Sequence, residues 1–505
     1  MKRQIIFISV LLTALLFSGC KYKFAVTTDP ENAEITINGE SYAAGETYSA
    51  SEEEISISVR KEGYVDIDTV IQAEKRFSLN ENTLTMELKI YEVTLSSFYN
   101  TYESGAAGNF RISIDGEEVE TEYFEKEDRK FTGNMGNGTK FSGELNHGEH
   151  TVIFHADGYD DYSFPLAVTG NMERTIRHPK VQPSGAVKLI PLGMYDCGFQ
   201  PKQVDITPDS RYLYIALLSD KGFNIFDTET MEMVNYVQVE KWGELEGFVE
   251  GLFIPKYNAY FISQMSTGYL FEYDVSDYAE PVFRRRLKTE GGWTKVMAYS
   301  DDLDMLAATN WHSYDVTIFD YGSGEIVTKI TDLVEPRGVI FSNDGKYIYI
   351  TTYLGGSIYK FNTSNWKQEG KINIRYSAQR HIRITDDDKT IYVSDMRYNK
   401  ISVIDTETFT IEKEIDTDTN PNTIDMTEDE KYLFVSARGP NNEISYLKRS
   451  PEEGHVNIID LDKQEVISRI TAGTQPTGLD VAPDGSFFAV SNFQDQNFEI
   501  YGIEW

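Results

Sequence analysis

Seven residues of this 505-residue chain recur at matching places and carry groups able to hold a charged ligand: Lys202, Glu250, Lys295, Arg337, Arg380, Asn422 and Thr477. Each stands near the start of a phrase such as "EPRGVIFSNDGKYIYITT" or "NPNTIDMTEDEKYLFVSA". Four of the seven are basic, although 81 acidic against 47 basic residues give the chain a formal charge of −34. Cations converging in a concave, low-dielectric place would focus on a carboxylate or a phosphate. A second set ends the same phrases: Leu217, Gln264, Asn310, Thr352, Asp395, Ala437 and Asn492, with Trp311, His312, Arg397, Tyr398 and Arg438 just beyond. Together the two sets describe an anion-attracting funnel rimmed by amide and aromatic groups. His381, beside Arg380, belongs to that funnel or to local packing. The opposing reading is that each cation neutralises an acid close by, with Asp395 as the ion-pair partner of Arg380 and with Arg397 and Tyr398 left as rim contacts.

Other chemistries find little support. The seven histidines show no HxH or HExxH spacing. "DTDTN" (Asp416 to Asn420) lacks the glycine and the distal glutamate of a calcium loop. There is no G-x-S-x-G, phosphate loop or CxxC, so neither a catalytic residue, a metal ligand nor a cofactor is assigned. The net charge argues against nucleic acid, whose binding depends on Lys and Arg neutralising phosphates. Only two cysteines occur, Cys20 and Cys197, and "YDCGFQP" offers no His beside the second. A buried structural thiol is the expectation for Cys197, a disulfide with Cys20 the competing one.

The elements that must position these residues are strands. Apolar and polar residues alternate, as in "IYVSDMRYNKISVIDTETFTIEKEI" (residues 391–415), and short turns interrupt them. The seven marked positions are spaced 48, 45, 42, 43, 42 and 55 apart; the last interval is long because "RGPNNEISYLKRSPEEGH" is inserted. Four strands in about 40–45 residues are the signature of a β-propeller blade, and seven copies suit a closed ring. After "FEIYGIEW" the last blade has three strands, and "GAVKLIPLG" (Gly185 to Gly193) is placed to supply its fourth, removing an exposed edge. In an up-and-down blade the start of strand one and the end of strand two share a face, and strand one is innermost. Both residue sets therefore surround one mouth of the channel.

The repeated wording resembles the YVTN-repeat seven-bladed propellers of bacterial surface proteins, over about 320 residues. Propellers host many activities, so the resemblance implies the fold and leaves the function open. Metal-dependent lactonase propellers use a Glu, an Asn and an Asp on one cation; Glu250, Asn422 and Asp395 could imitate that set, but the cations in the ring would repel a divalent metal. Upstream, residues 20–92 and 93–182 share a plan: a strand ending in Asn38-Gly39 or Asp115-Gly116, then an alternating strand ending in Gly63-Tyr64 or Gly158-Tyr159. This resembles the PEGA module, a small β-sandwich-like domain. Residues 1–19 have two basic residues and a short apolar run, and "LFSGC" resembles the lipobox of bacterial lipoproteins, which implies lipidation of Cys20. The expected protein is all-β, with a signal peptide (1–19), two PEGA-like modules (20–92 and 93–182) and a seven-bladed propeller (183–505). It would be exported and held in the cell envelope by its lipid, on the outer membrane or facing the periplasm. Its propeller would be a non-enzymatic platform for envelope or surface proteins or for an anionic ligand. A lactonase-like hydrolase at the channel mouth is the alternative.

Overall fold

Alternation fixes the local structure first. Glu54–Arg60 buries Ile55, Ile57 and Val59 and leaves Glu54 and Ser56 exposed, as period-two side-chain placement requires. The computed structural model describes residues 22–50, 54–72, 80–99, 110–128, 133–156, 161–178, 187–239 and 245–505. Cys20 and its apolar leader, Gly158-Tyr159 and part of "GAVKLIPLG" lie outside the described residues. Among those described, regular structure is strand throughout, apart from one 3-10 turn at Pro255–Tyr257.

Two compact units are present. The first comprises the described residues up to Thr94 with Ser142–Thr151 and Pro165–Glu173; the second comprises Leu95–Phe141, Val152–Phe164 and Arg174–Trp505. In the first, a sheet ordered Glu40–Tyr42, Glu34–Ile37, Glu54–Arg60, Ile67–Gln72 accompanies a three-stranded sheet in which Tyr22–Asp29 and Asn80–Thr85 run parallel. Val26, Ile35, Ile37, Ile55, Ile57, Val59 and Met86 form the core. Asn38 and Gly39 turn with φ of 50° and 85°, the doubly positive pair that a two-residue hairpin prefers. Asp115 and Gly116 repeat it in the second unit at 52° and 86°. Gly63 also has positive φ, at 80°, and the His147 ring occupies the space a Cβ would need, so both backbone and packing select glycine.

The second unit carries seven four-stranded sheets arranged as a ring. The innermost strands are Pro201–Ile206, Phe248–Ile254, Thr294–Ser300, Pro336–Phe341, Gln379–Ile384, Pro421–Met426 and Pro476–Val481, and three more follow outward in each sheet. Each innermost strand touches the next, and the seventh touches the first. Second strands end at Leu217, Gln264, Asn310, Thr352, Asp395, Ala437 and Asn492, the positions expected from the repeat. The seventh blade takes its outer strand from Lys188–Asp196, which pairs antiparallel with Asn497–Glu504 and leaves no open edge at the seam. The recurring "TPDSRY", "TDDDKT" and "TEDEKY" phrases are capped turns: Thr207 and Thr427 bond to Asp209 and Asp429 while accepting from Tyr212 and Tyr432 amides. Blade faces pack mainly through apolar clusters, such as Tyr214, Phe223, Phe248, Tyr260 and Phe271 between blades one and two.

Arg177, the last residue of the strand Met172–Arg177, belongs to the second unit and is fully buried. Its guanidinium lies 3.0 Å from Glu499, 2.9 Å from Asp495 and 3.5 Å from Glu453, so the segment preceding the ring is held to blade seven and to the insertion of blade six. Burial alone would disfavour this charge, but the three carboxylates hold its pKa above the ordinary arginine value.

Candidate functional site

A backbone irregularity aims the first residue set. In six blades the ladder between strands one and two shifts register across the second and third residues of strand one, as between Thr294 and Met297, or Gln379 and Ile382. Blade one shifts between Pro201 and Gln203. Lys202, Glu250, Lys295, Arg337, Arg380, Asn422 and Thr477 all sit in these bulges. A bulge re-aims side chains, here toward the channel. Its irregular backbone needs partners, and a hydroxyl near the end of strand two provides them. Thr309 Oγ1 accepts from Val296 N at 3.0 Å and donates to Arg337 O of the next blade at 3.2 Å. Ser263, Thr351, Ser394 and Ser436 do the same in blades two, four, five and six. This hydroxyl ring was not singled out from sequence, although Ser or Thr recurs in "FISQ", "AATN", "YITT", "YVSD", "FVSA" and "AVSN".

Lys202, Lys295, Arg337 and Arg380 line one cavity of about 410 Å³ at the mouth. Arg438, the residue after strand two of blade six, is a fifth cation there, and Trp293, Trp311, Tyr353, Met396 and Tyr446 complete the wall. Tyr446 and Asn441 come from the blade-six insertion, pinned by buried glutamines of blade seven: Gln475 Nε2 donates to Tyr446 O at 3.0 Å and Gln494 Nε2 to Lys448 O at 2.6 Å. Arg438 in turn bonds to Gln475 Oε1.

The carboxylate that meets these cations directly is Glu250, which accepts from Arg337 Nη2 at 2.7 Å with both side chains buried. Arg337 Nη1 is buried with no hydrogen-bond partner among the described residues. Lys202 lies over the Phe493 ring at 5.1 Å, and Lys295 over Trp293 and Trp311 at 5.3 and 5.7 Å. Burial first, then the neighbouring arginines, holds the Lys202 and Lys295 ammoniums well below the ordinary lysine pKa. Arg380 is lowered likewise by burial and by Arg337 and Arg438, and burial brings Arg438 down to about 10.

The second residue set does other work. Asn310 is fully buried within its blade, where Nδ2 donates to Asp315 at 2.6 Å and Thr317 at 2.9 Å. Asp395 is not the partner of Arg380. Its carboxylate caps local turns, accepting from Ala378 N, Gln379 Nε2, Arg397 N and Tyr398 N at 2.9–3.2 Å, while the bulge turns Arg380 into the mouth. Arg397 and Tyr398 are exposed outside the cavity, and Tyr398 donates to Arg375 O at 2.8 Å. Asn422 is buried, with Nδ2 bonded to Thr477 O at 2.6 Å. His312 stacks on Trp293 with centroids 3.8 Å apart. Cys197 is half-buried against an apolar cluster of blades one and seven, its Sγ directed at Gly198 O.

His381 faces a second, smaller cavity of about 180 Å³ deeper in the channel, shared with Gln203, Asp205, Glu250, Arg383 and Asp480. Burial, then Arg383, keeps its imidazole neutral at pH 7, and Nδ1 donates to Ile424 O at 3.2 Å. Burial pushes the Asp205 carboxyl up to about 7, opposed by the Tyr260 hydroxyl at 2.9 Å and reinforced by Glu250. Burial and the nearby Asp425 carboxylate raise Asp480 as well. Arg383 meets Asp425 at 2.9 Å. The channel is thus basic at the mouth and acidic below, and the Arg337–Glu250 pair joins the two.

A family model described as "Lactonase, 7-bladed beta-propeller" matches residues 327–457 and 406–504. Antigen Lp49 of Leptospira interrogans (serogroup Icterohaemorrhagiae, serovar copenhageni, strain Fiocruz L1-130) is 33% identical over 325 residues, 61% of this chain and 69% of that protein. A solved structure of the Kuenenia stuttgartiensis hydrazine synthase superposes with a TM-score of 0.51 at 18% identity, covering 60% of this chain and 95% of that one, a likeness of fold alone. With that identity and coverage, the chain belongs to the β-propeller family that includes antigen Lp49.

Proposed function

We propose that the propeller is a non-enzymatic binding platform whose mouth takes the anionic part of its ligand or partner. The observation that carries this is that, among the described residues, five cations line one cavity with a single directly paired carboxylate, in a chain of net charge −34. Like charges this crowded and this dry disfavour the empty site, and an anion relieves both their repulsion and the unpartnered Arg337 Nη1. Large exposed side chains in the loops of the same face (Trp293, Tyr314, Leu354, Tyr376, Tyr398, Tyr446) support a role in docking a partner around the mouth.

The test uses citrate as probe. Thermal unfolding of the full chain is followed against citrate, with sodium chloride matched for ionic strength. A ligand at about 100 times its Kd stabilises the native state by about 2.7 kcal/mol, so a clear rise in Tm is expected. Arg337→Glu and Arg380→Glu should abolish that rise. An unfolding midpoint that follows ionic strength alone would sink the reading.

Hydrolysis at the mouth is the second reading, favoured by the lactonase family match. Against it, both carboxylates of the set are already engaged, Glu250 by Arg337 and Asp395 by turn amides, so neither is held ready for a shared cation. The platform would stand in the cell envelope on two PEGA-like modules, tethered through a lipid on Cys20. Incorporation of labelled palmitate, lost in Cys20→Ala, is the expected result; equal labelling of both would refute the anchor.

A further inference from the structure

Three lysines of the propeller surface are held as ammoniums by carboxylates. Lys389, Lys431 and Lys463 each hold an aspartate at 2.6–2.7 Å, and those partners raise their pKa. Lys295 is built differently. No carboxylate stands within ion-pair distance of its Nζ among the described residues, and its contacts there are the Met265 sulfur at 2.7 Å and the faces of two indoles. It lines the mouth cavity together with Arg337 and Arg380. An amine desolvated by aromatic walls and set beside other cations is an activated nucleophile, because the uncharged form is the reactive one.

We propose that Lys295 is a covalent capture point, its Nζ condensing reversibly with the carbonyl of a small keto or aldehyde carboxylate to form an imine. The proposal rests on reading the mouth as an anion site, since the carboxylate of the ligand is what Arg337 and Arg380 hold while the carbonyl meets the amine. The Nζ lone pair forms the new C–N bond, and the carbonyl π electrons move to oxygen to give a carbinolamine. That oxygen then leaves with the two amine protons as water, and a C=N bond replaces C=O. No electron donor or acceptor is needed. The groups facing Lys295 fit the step: burial, then Arg337 and Arg380, favour the neutral amine, and the Glu250 carboxylate opposes them. The carboxylate carried in by the ligand compensates the charge of the protonated imine.

The full chain is incubated with pyruvate at pH 7 and reduced with borohydride, which fixes an imine as a secondary amine, and peptides are then mapped by mass spectrometry. Only the uncharged amine condenses and the mouth concentrates the anionic carbonyl, so Lys295 should carry most of the adduct and Lys389 and Lys431 little of it. Excess citrate should suppress the adduct, and Lys295→Arg should lack it while still folding to a cooperative melting transition. Adduct spread evenly over surface lysines, or placed on Lys202 in its stead, overturns the assignment. If citrate raises the melting temperature but pyruvate leaves Lys295 unmodified, capture fails and the anion site stands. If neither effect appears, both readings fail.

Discussion

Replacing Arg177 with methionine should destabilise the second unit by about 3–5 kcal/mol, the usual penalty for stranding buried charges by deleting their partner. The reason lies in what remains. Glu499, Asp495 and Glu453 are all nearly inaccessible, and the side chain that meets them at 3.0, 2.9 and 3.5 Å is gone; Asp495 keeps Arg449 at 2.6 Å, so the loss falls chiefly on Glu499. Methionine matches much of the volume, so packing alone changes little. Chemical denaturation followed by tryptophan fluorescence measures the loss. Because two uncharged groups can replace a buried pair at low cost, Arg177→Met with Glu499→Met should recover part of it. A single variant within about 1 kcal/mol of the parent would mean that the cluster is solvated or redundant, contrary to the geometry.

Glu250→Gln is the second large expectation, and it should separate stability from binding. It removes the carboxylate that sits 2.7 Å from Arg337 and leaves five cations around the mouth without it. The loss should be about 3 kcal/mol, at the lower end for a broken buried pair because the amide oxygen can still accept from the guanidinium. Citrate should then stabilise the variant more than the parent, since the anion takes over the missing compensation. The pH profile supplies an independent readout. Asp205 is raised to about 7 in the folded state, so the native protein binds a proton that the unfolded chain releases above its ordinary value of 3.8. That contribution is complete below the ordinary value and is lost as pH rises through about 7. The negative charge of Glu250 is one cause of the raised value, so in Glu250→Gln the loss should be smaller and should level off at lower pH. A variant as stable as the parent, with an unmoved profile and an unchanged citrate response, would remove Glu250 from the account.

Much of this architecture was legible in the chain, and the reasons are local. Alternating burial, doubly positive turn dipeptides such as Asp115-Gly116 and the spacing of the repeats all depend on neighbours along the sequence, so strand ends such as Leu217 and Asn492 could be placed to the residue. The mouth was legible because its cations occupy equivalent slots. What sequence did not reveal was direction. Asn310 and Asp395 end strand two on the correct face, yet they turn into their own blade, Asn310 to the Asp315 and Thr317 side chains and Asp395 to loop amides, while the bulge carries Lys295 and Arg380 inward. Trp293, Tyr353, Met396 and Tyr446 escaped notice because they come from loops of unlike length that converge only in three dimensions. The acids below the mouth, Asp205 and Asp480, sit in strands whose alternation looks ordinary, and only their burial together marks them.

The seam between Lys188–Asp196 and Asn497–Glu504 has a bearing on how the protein is made. Lys188 meets Glu504 across 316 positions of sequence, so the first strand of the ring to be synthesised is the last to find its partner. Loop-closure entropy and high contact order make such a pairing slow. Throughout elongation the nascent chain therefore displays an unpaired β-edge at residues 188–196, able to pair with strands of other molecules. Closure of the ring waits for delivery of the eight-residue strand Asn497–Glu504.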